Sequence, residues 1–193
     1  MSTCWLAVIS PDSASGLLKD IYEQVKSPSG QVDRVYQAQS LRPDTILGHD
    51  RLYRSALHFE DPACPPWFLE AVAVYTSVLN RCPYAVEHHY ANLKHLLGEP
   101  DRSTDILDAF QNDNLGAVFE GKELHLLIYV RKLTIAPGDL YRTDIDQLRG
   151  QGAKDEEILE VNQVAASFNY SNRVINGLGV RLGGEQIGYY ETA

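Results

Sequence analysis

PPWFLEAVAVYTSVLNRCPYAVEHHYANLKHLLG, residues Pro65–Gly98, is spaced as two consecutive helices. Pro65 and Pro66 open a helix, because proline is tolerated in a first turn whose N–H groups have no intrahelical partner. Trp67, Leu69, Val72, Val74 and Val78 supply apolar positions, and nothing breaks the run before Asn80. Cys82-Pro83 restarts the chain, since a residue before proline is pushed out of the α region and the proline suits the first position of a second helix. Cys82 therefore stands at an N-cap-like position, where free N–H groups and the helix dipole favour a thiolate over a thiol. His89 follows about two turns later and shares a face with Cys82, Ala85 and Val86. Glu70 sits on the preceding helix. A thiol, an imidazole and a carboxylate converge in this reading, with His89 as base or proton relay and Glu70 orienting it. The structural alternative is a buried Cys82 acting as a small hydrophobe and a core His89 satisfied by a buried glutamate. Glu70 lies farther from the turn than His89 does, so either the side chains reach or the helices cross obliquely.

The neighbours of these residues have weaker assignments. His88 points about 100° away from His89 and is expected at solvent or a subunit contact. Tyr84 either donates a hydrogen bond into the site or packs. Glu87 reads as a solvated charge. Cys4 and Cys64 lack a comparable context and read as structural, with Cys64 left open as a substitute resolving thiol. His88, His89 and His95 do not have metal-ligand spacing, because adjacent histidines cannot easily bind one ion from a regular helix and no H-E-x-x-H occurs; no metal and no cofactor are expected. Asp155-Glu156-Glu157 suits a first helical turn. Gly177, Gly179, Gly183 and Gly184 read as helix-end glycines, since no strand precedes them.

Outward from the centre, the same helical periodicity recurs. Trp5–Ile9 is a short apolar stretch, extended or packed as an arm, and Ser10-Pro11-Asp12-Ser13 is a turn. Leu17, Leu18, Ile21, Tyr22 and Val25 define a helix that Pro28 and Gly30 end; a short helix is expected over Val32–Ser40, and Pro43 opens the next. Beyond the centre, helices are expected over Ser103–Phe110, started by Ser103 or Thr104, over Glu123–Thr134 and over Thr143–Leu148. A last long one runs from Asp155 to about Leu182, broken near Asn169. β-Branched alternation is almost absent, so the fold class is all-α. LEAVAVYTSVLNRCPYAV (Leu69–Val86) is faintly echoed by LEVNQVAASFNYSNRVI (Leu159–Ile175), which suggests two related helical halves with thiol chemistry possible only in the first. The expected organisation is a single domain, 1–193, with the site in its N-terminal part (about 1–100) and no site residues in the C-terminal part (about 101–193).

Composition sets further bounds. At 193 residues the chain suits one compact domain. A net charge of −9 with dispersed Arg and Lys argues against nucleic acid or an anionic membrane as partner. No run reaches the roughly 18 apolar residues of a membrane span. MSTCWLAVIS lacks a secretory pattern and the three cysteines form no disulfide framework, so a cytoplasmic location is expected.

Glu70, twelve residues to Cys82, then Pro83-Tyr84-Ala85 and His89, with Asn80 just before, resembles the core of the alkylhydroperoxidase D (AhpD) / carboxymuconolactone decarboxylase superfamily, especially its peroxidase-related branch. LRPDTILGHDRLYRSALHF (Leu41–Phe59), LTIAPGDLYRTDIDQLRGQGAKDEEILE (Leu133–Glu160) and FNYSNRVINGLGV (Phe168–Val180) extend the resemblance over nearly the whole chain. The family pattern is Glu, C-x-x-C and a His four residues after the second Cys; that second Cys is Ala85 here. The resemblance implies an AhpD-like helical fold, a homo-oligomer built on trimers (a trimer or hexamer), and thiol-dependent peroxide reduction. In that scheme the second cysteine attacks the peroxide, the first closes a disulfide and a reductant reopens it. With Ala85 the two-cysteine cycle cannot run. One version left open oxidises Cys82 and resolves it with an external thiol reductant. A non-redox enzyme resembling the lactone decarboxylases is a second reading, with His89 shuttling protons on a small organic acid and Arg81 as the nearest cationic anchor. A non-catalytic scaffold is the third.

Overall fold

The computed structural model describes residues 3–190. Among them every regular element is helical: α1 (Gly16–Gln24), α2 (Arg34–Gln37), α3 (Pro43–Leu57), α4 (Pro66–Leu79), α5 (Pro83–Leu97), α6 (Pro100–Gln111), α7 (Gly121–Ile135), α8 (Arg142–Gly150) and α9 (Asp155–Leu178), with short 3-10 turns between some of them. No helix among the described residues is long and apolar enough to cross a membrane.

α4 is the axis of the molecule. Every residue from Phe68 to Ser77 is buried, as expected of a helix that is apolar all round and enclosed by others. It packs mainly on α5 and α9, then on α7 and α6. The expected boundaries of the central pair hold: α4 stops at Asn80, α5 starts at Pro83 with Cys82 at its N-cap, and Gly98 ends α5 in the left-handed conformation at φ 67°. Arg81 makes the turn with φ 51°, unusual for a residue with a Cβ.

Differences from the sequence expectation are local. α6 starts at Pro100 rather than at Ser103 or Thr104; Pro100 fits the first position, and the Ser103 and Thr104 hydroxyls bond back to its carbonyl. α9 is unbroken at Asn169, whose amide donates to the Ala165 carbonyl four residues back and to Thr134 Oγ1, so the residue supports the helix. Gly179, at φ 65°, stops α9 before Leu182. The Trp5 ring occupies the space a Cβ there would need, and the backbone N–H of Trp5 donates to the Leu178 carbonyl, which fixes residues 3–9 as a packed arm.

The buried apolar residues form two bodies. One gathers α4 with α6, α7, α8 and α9. The other gathers α1, α2, the start of α5 and the end of α9, and includes Cys82, Tyr84 and Ala85. Residues 180–190 return as an irregular tail over α2 and α5. Arg34 donates to the carbonyls of Arg181 (3.1 Å) and Gly183 (2.9 Å), and the Tyr189 N–H donates to Asn92 Oδ1 at 2.6 Å.

Candidate active site

Glu70, from the middle of α4, is 2% exposed and has both carboxylate oxygens occupied. Oε2 bonds His89 Nδ1 at 2.7 Å, and Oε1 accepts from Asn92 Nδ2 at 3.1 Å. A buried carboxylate needs such partners, because an unpaired charge in a low-dielectric interior is costly. The pairing also fixes the imidazole: Nδ1 carries the proton that the carboxylate accepts, which leaves Nε2 as the basic nitrogen. Phe168 of α9 meets the ring edge-on at 4.4 Å between centroids and Tyr53 of α3 at 5.8 Å, holding its plane. Asn92, one turn beyond His89 on α5, escaped the sequence reading, although its i+3 position on the same face was a usable signal.

His89 opens on a cavity of about 70 Å³ between the two apolar bodies, room for a few waters or part of a small organic molecule. Ala85, Tyr84, Tyr53, Asp33, Phe168 and Tyr189 are among its walls. Tyr53 is linked to His58 (2.8 Å) and lies near Glu70, and burial pushes its hydroxyl well above the usual phenol range. His49 and His58 are depressed to about 4, chiefly by burial.

Two expectations need correction. Cys82 was to be a helix-start thiolate. It is fully buried in the second apolar body, is absent from the cavity walls, and burial raises its thiol to about 11. The Ala85 N–H facing the sulfur does act in the expected direction, but desolvation exceeds it. His88 was to face solvent or a subunit. It is 9% exposed, stacks on Tyr84 and lines the cavity; its Nδ1 accepts from the Gly188 N–H at 3.3 Å because the tail folds back over this face. Burial lowers it to about 4.

The other candidates are placed plainly. Ala85 lines the cavity where the resemblance puts the attacking thiol. Tyr84 lines it too, with its hydroxyl close to the Arg34 and Val35 N–H groups but without a well-formed bond. Glu87 is exposed, and Arg81 is exposed and lies outside the cavity walls. Cys64 is buried in the other apolar body and pushed up to about 12 by burial and by Glu160 and Glu157. Asn80 is structural, donating to Asn169 Oδ1 at 3.0 Å. No metal-binding group of three or more ligating side chains occurs among the described residues.

No family model matches the sequence, and no curated protein matches it. Solved structures do. An AhpD-core, peroxidase-related protein from Ralstonia eutropha JMP134 superposes with a TM-score of 0.80 at 23% identity, over 95% of this chain and 94% of that one. A peroxidase-related protein from Silicibacter sp. TM1040 gives 0.77 at 21%, with coverage of 95% and 94%. The debrominase Bmp8 gives 0.71 at 15%, over 93% and 94%. The packing of α4, α5 and α9 and these superpositions agree: this chain has the AhpD-like helical fold.

Proposed function

We propose that this chain uses the AhpD-like scaffold for proton transfer on a small molecule, with His89 Nε2 as the reacting base and Glu70 as its orienting partner, in place of a thiol cycle. The observation that carries the reading is the asymmetry between the two candidate groups. His89, held by Glu70, lines the cavity, whereas Cys82 is sealed away from it with its thiol raised to about 11. A thiol so raised is almost wholly protonated at neutral pH and is a poor nucleophile. An imidazole held through Nδ1 is a competent general base, and such catalysis contributes about 10²–10⁴ in rate. The fold accepts small flat ligands: a cysteine-to-alanine variant of the Bmp8 debrominase, TM-score 0.70, holds 2,3,4-tribromopyrrole.

The thiol reading keeps one specific support. Ala85 borders the cavity with His89, so a sulfur at that position would face the chamber. The chain is then a peroxidase-related scaffold disarmed at one atom.

The test is solvent deuterium exchange into a panel of small C–H acids (ketones, lactones, nitroalkanes). Exchange is expected with the protein and with Cys82→Ser, and a loss of about 10²-fold or more in His89→Ala. Exchange that persists in His89→Ala, or that needs Cys82, overturns the reading. The assembly into a homo-oligomer is part of the same proposal and is read by sedimentation.

A further inference from the structure

Asp33 ends the loop into α2 at the N-cap position, where an aspartate ordinarily turns its side chain onto the first free N–H groups. Here it does not. No side-chain cap bond forms, and among the described residues no hydrogen bond or ion pair holds the carboxylate, which borders the cavity. The Tyr84 hydroxyl stands near the Arg34 and Val35 N–H groups that this carboxylate would have capped. Burial and the neighbouring Glu185 raise Asp33 to about 6, so at neutral pH it is mostly ionised but poorly solvated. An ionised carboxylate without partners in a half-buried wall is unfavourable unless something outside the chain compensates it.

The rest of the wall indicates what that is. Among the described residues no Lys or Arg lines the cavity. His49 and His88 are uncharged at neutral pH. Near Asp33 stand Glu185 from the tail, which Arg34 Nε pairs at 3.4 Å, Asp50 and Arg54 from α3, and the His89 imidazole from α5. Arg54 is already committed to Asp50, with Nε at 2.9 Å from both carboxylate oxygens. Tyr36, Tyr53, Tyr84 and Tyr189 are also among the walls, and aromatic rings attract cations.

We propose that the cavity takes a small organic cation, an amine in its ammonium form, with its charge on the Asp33 carboxylate among tyrosine rings, and that it rejects organic anions. This rests on reading the cavity as the reaction chamber and names the class of molecule that enters it. Asp33 is then a specificity-determining residue. The carboxylic acids that a decarboxylase-like reading would bring have no cationic anchor here.

Binding without turnover tests this separately from proton transfer. n-Butylammonium, n-butanol and butyrate share one apolar chain and differ in charge; their affinities are measured by calorimetry at pH 7.5 and low ionic strength. n-Butylammonium is expected to bind at least about tenfold more tightly than n-butanol, with butyrate weakest. Asp33→Asn, which removes no structural bond, is expected to bring the ammonium to the level of the alcohol, while Cys82→Ser, outside the cavity walls, preserves the order. Butyrate binding as well as the ammonium, no binding of any probe, or an unchanged preference in Asp33→Asn overturns the proposal. Loss of exchange in the deuterium assay with this preference intact would remove only the proton-transfer reading.

Discussion

At the scale of single residues, burial decides which of two reactive side chains is usable. Cys82 and His89 lie on one helix and both have local features that favour reactivity, but the helix dipole near Cys82 is worth at most about 1–2 kcal/mol, less than the desolvation that opposes it. Periodicity showed that Cys82, Ala85 and His89 share a side of α5; it could not show that Ala85 and His89 border a cavity while Cys82 is packed beneath it. Iodoacetamide alkylation should therefore be slow at pH 7 and accelerate only toward pH 11, and a fast reaction with a midpoint below pH 8 would contradict this. Glu70→Gln keeps the shape but removes the acceptor that fixes the imidazole tautomer, so exchange activity should fall about 10–100-fold. Asp33 carries the opposite balance. Its folded-state value lies above that of the unfolded chain, so it subtracts stability as pH rises from 3.8 to about 6, and the penalty persists above that. Asp33→Asn should raise stability at pH 7.5 by about 1–2 kcal/mol in thermal or urea unfolding.

Among the elements, the α4–α5 pair was legible because prolines, Asn80 and Gly98 punctuate it and because ten consecutive buried positions in α4 leave only one environment possible. The start of α6 and the continuity of α9 were less legible. Ser, Thr and Asn signal caps or breaks in isolation, yet here their side chains bond carbonyls of their own helices, which only the assembled structure reveals. The seam between α4 and α9 depends on a buried polar pair, Ser77 Oγ and Asn172, at 3.2–3.3 Å. Asn172→Ala leaves the Ser77 hydroxyl without its partner across the seam and a void beside it, and should cost about 1–3 kcal/mol. The α4–α5 turn offers the reverse test. Arg81 holds φ 51° and its side chain makes no hydrogen bond among the described residues, so Arg81→Gly should be stabilising by up to about 1 kcal/mol in the same assay. A loss instead would mean that the turn is held by contacts of the arginine stem.

Over the whole molecule, the all-α class was readable from helical periodicity, and the AhpD-like fold from the family resemblance carried by Glu70, Cys82 and His89. The cavity was not, because it is assembled from α2, α3, α5, α9 and the tail, pieces far apart in sequence and joined by long-range bonds such as Tyr189 to Asn92 and Arg34 to Gly183. His49 and His88, buried, and His58, half-buried, lie in that same region and are depressed to about 4, against 6.5 for the unfolded chain. Below pH 6.5 the unfolded state therefore binds more protons than the folded one. Their contribution is fully present above pH 6.5 and is lost as the pH falls toward 4, by about 1–3 kcal/mol for the most buried, His49. Urea midpoints should fall over that window, and His49→Gln should flatten the slope. The central claim is that His89, and not Cys82, is the reactive group. Peroxide consumption with a supplied dithiol tests it most directly, comparing the protein with Cys82→Ser and Ala85→Cys. The account predicts no thiol-dependent turnover in the protein or in Cys82→Ser, and turnover gained in Ala85→Cys, where a sulfur borders the cavity beside His89. Turnover already present in the protein and abolished in Cys82→Ser would contradict it.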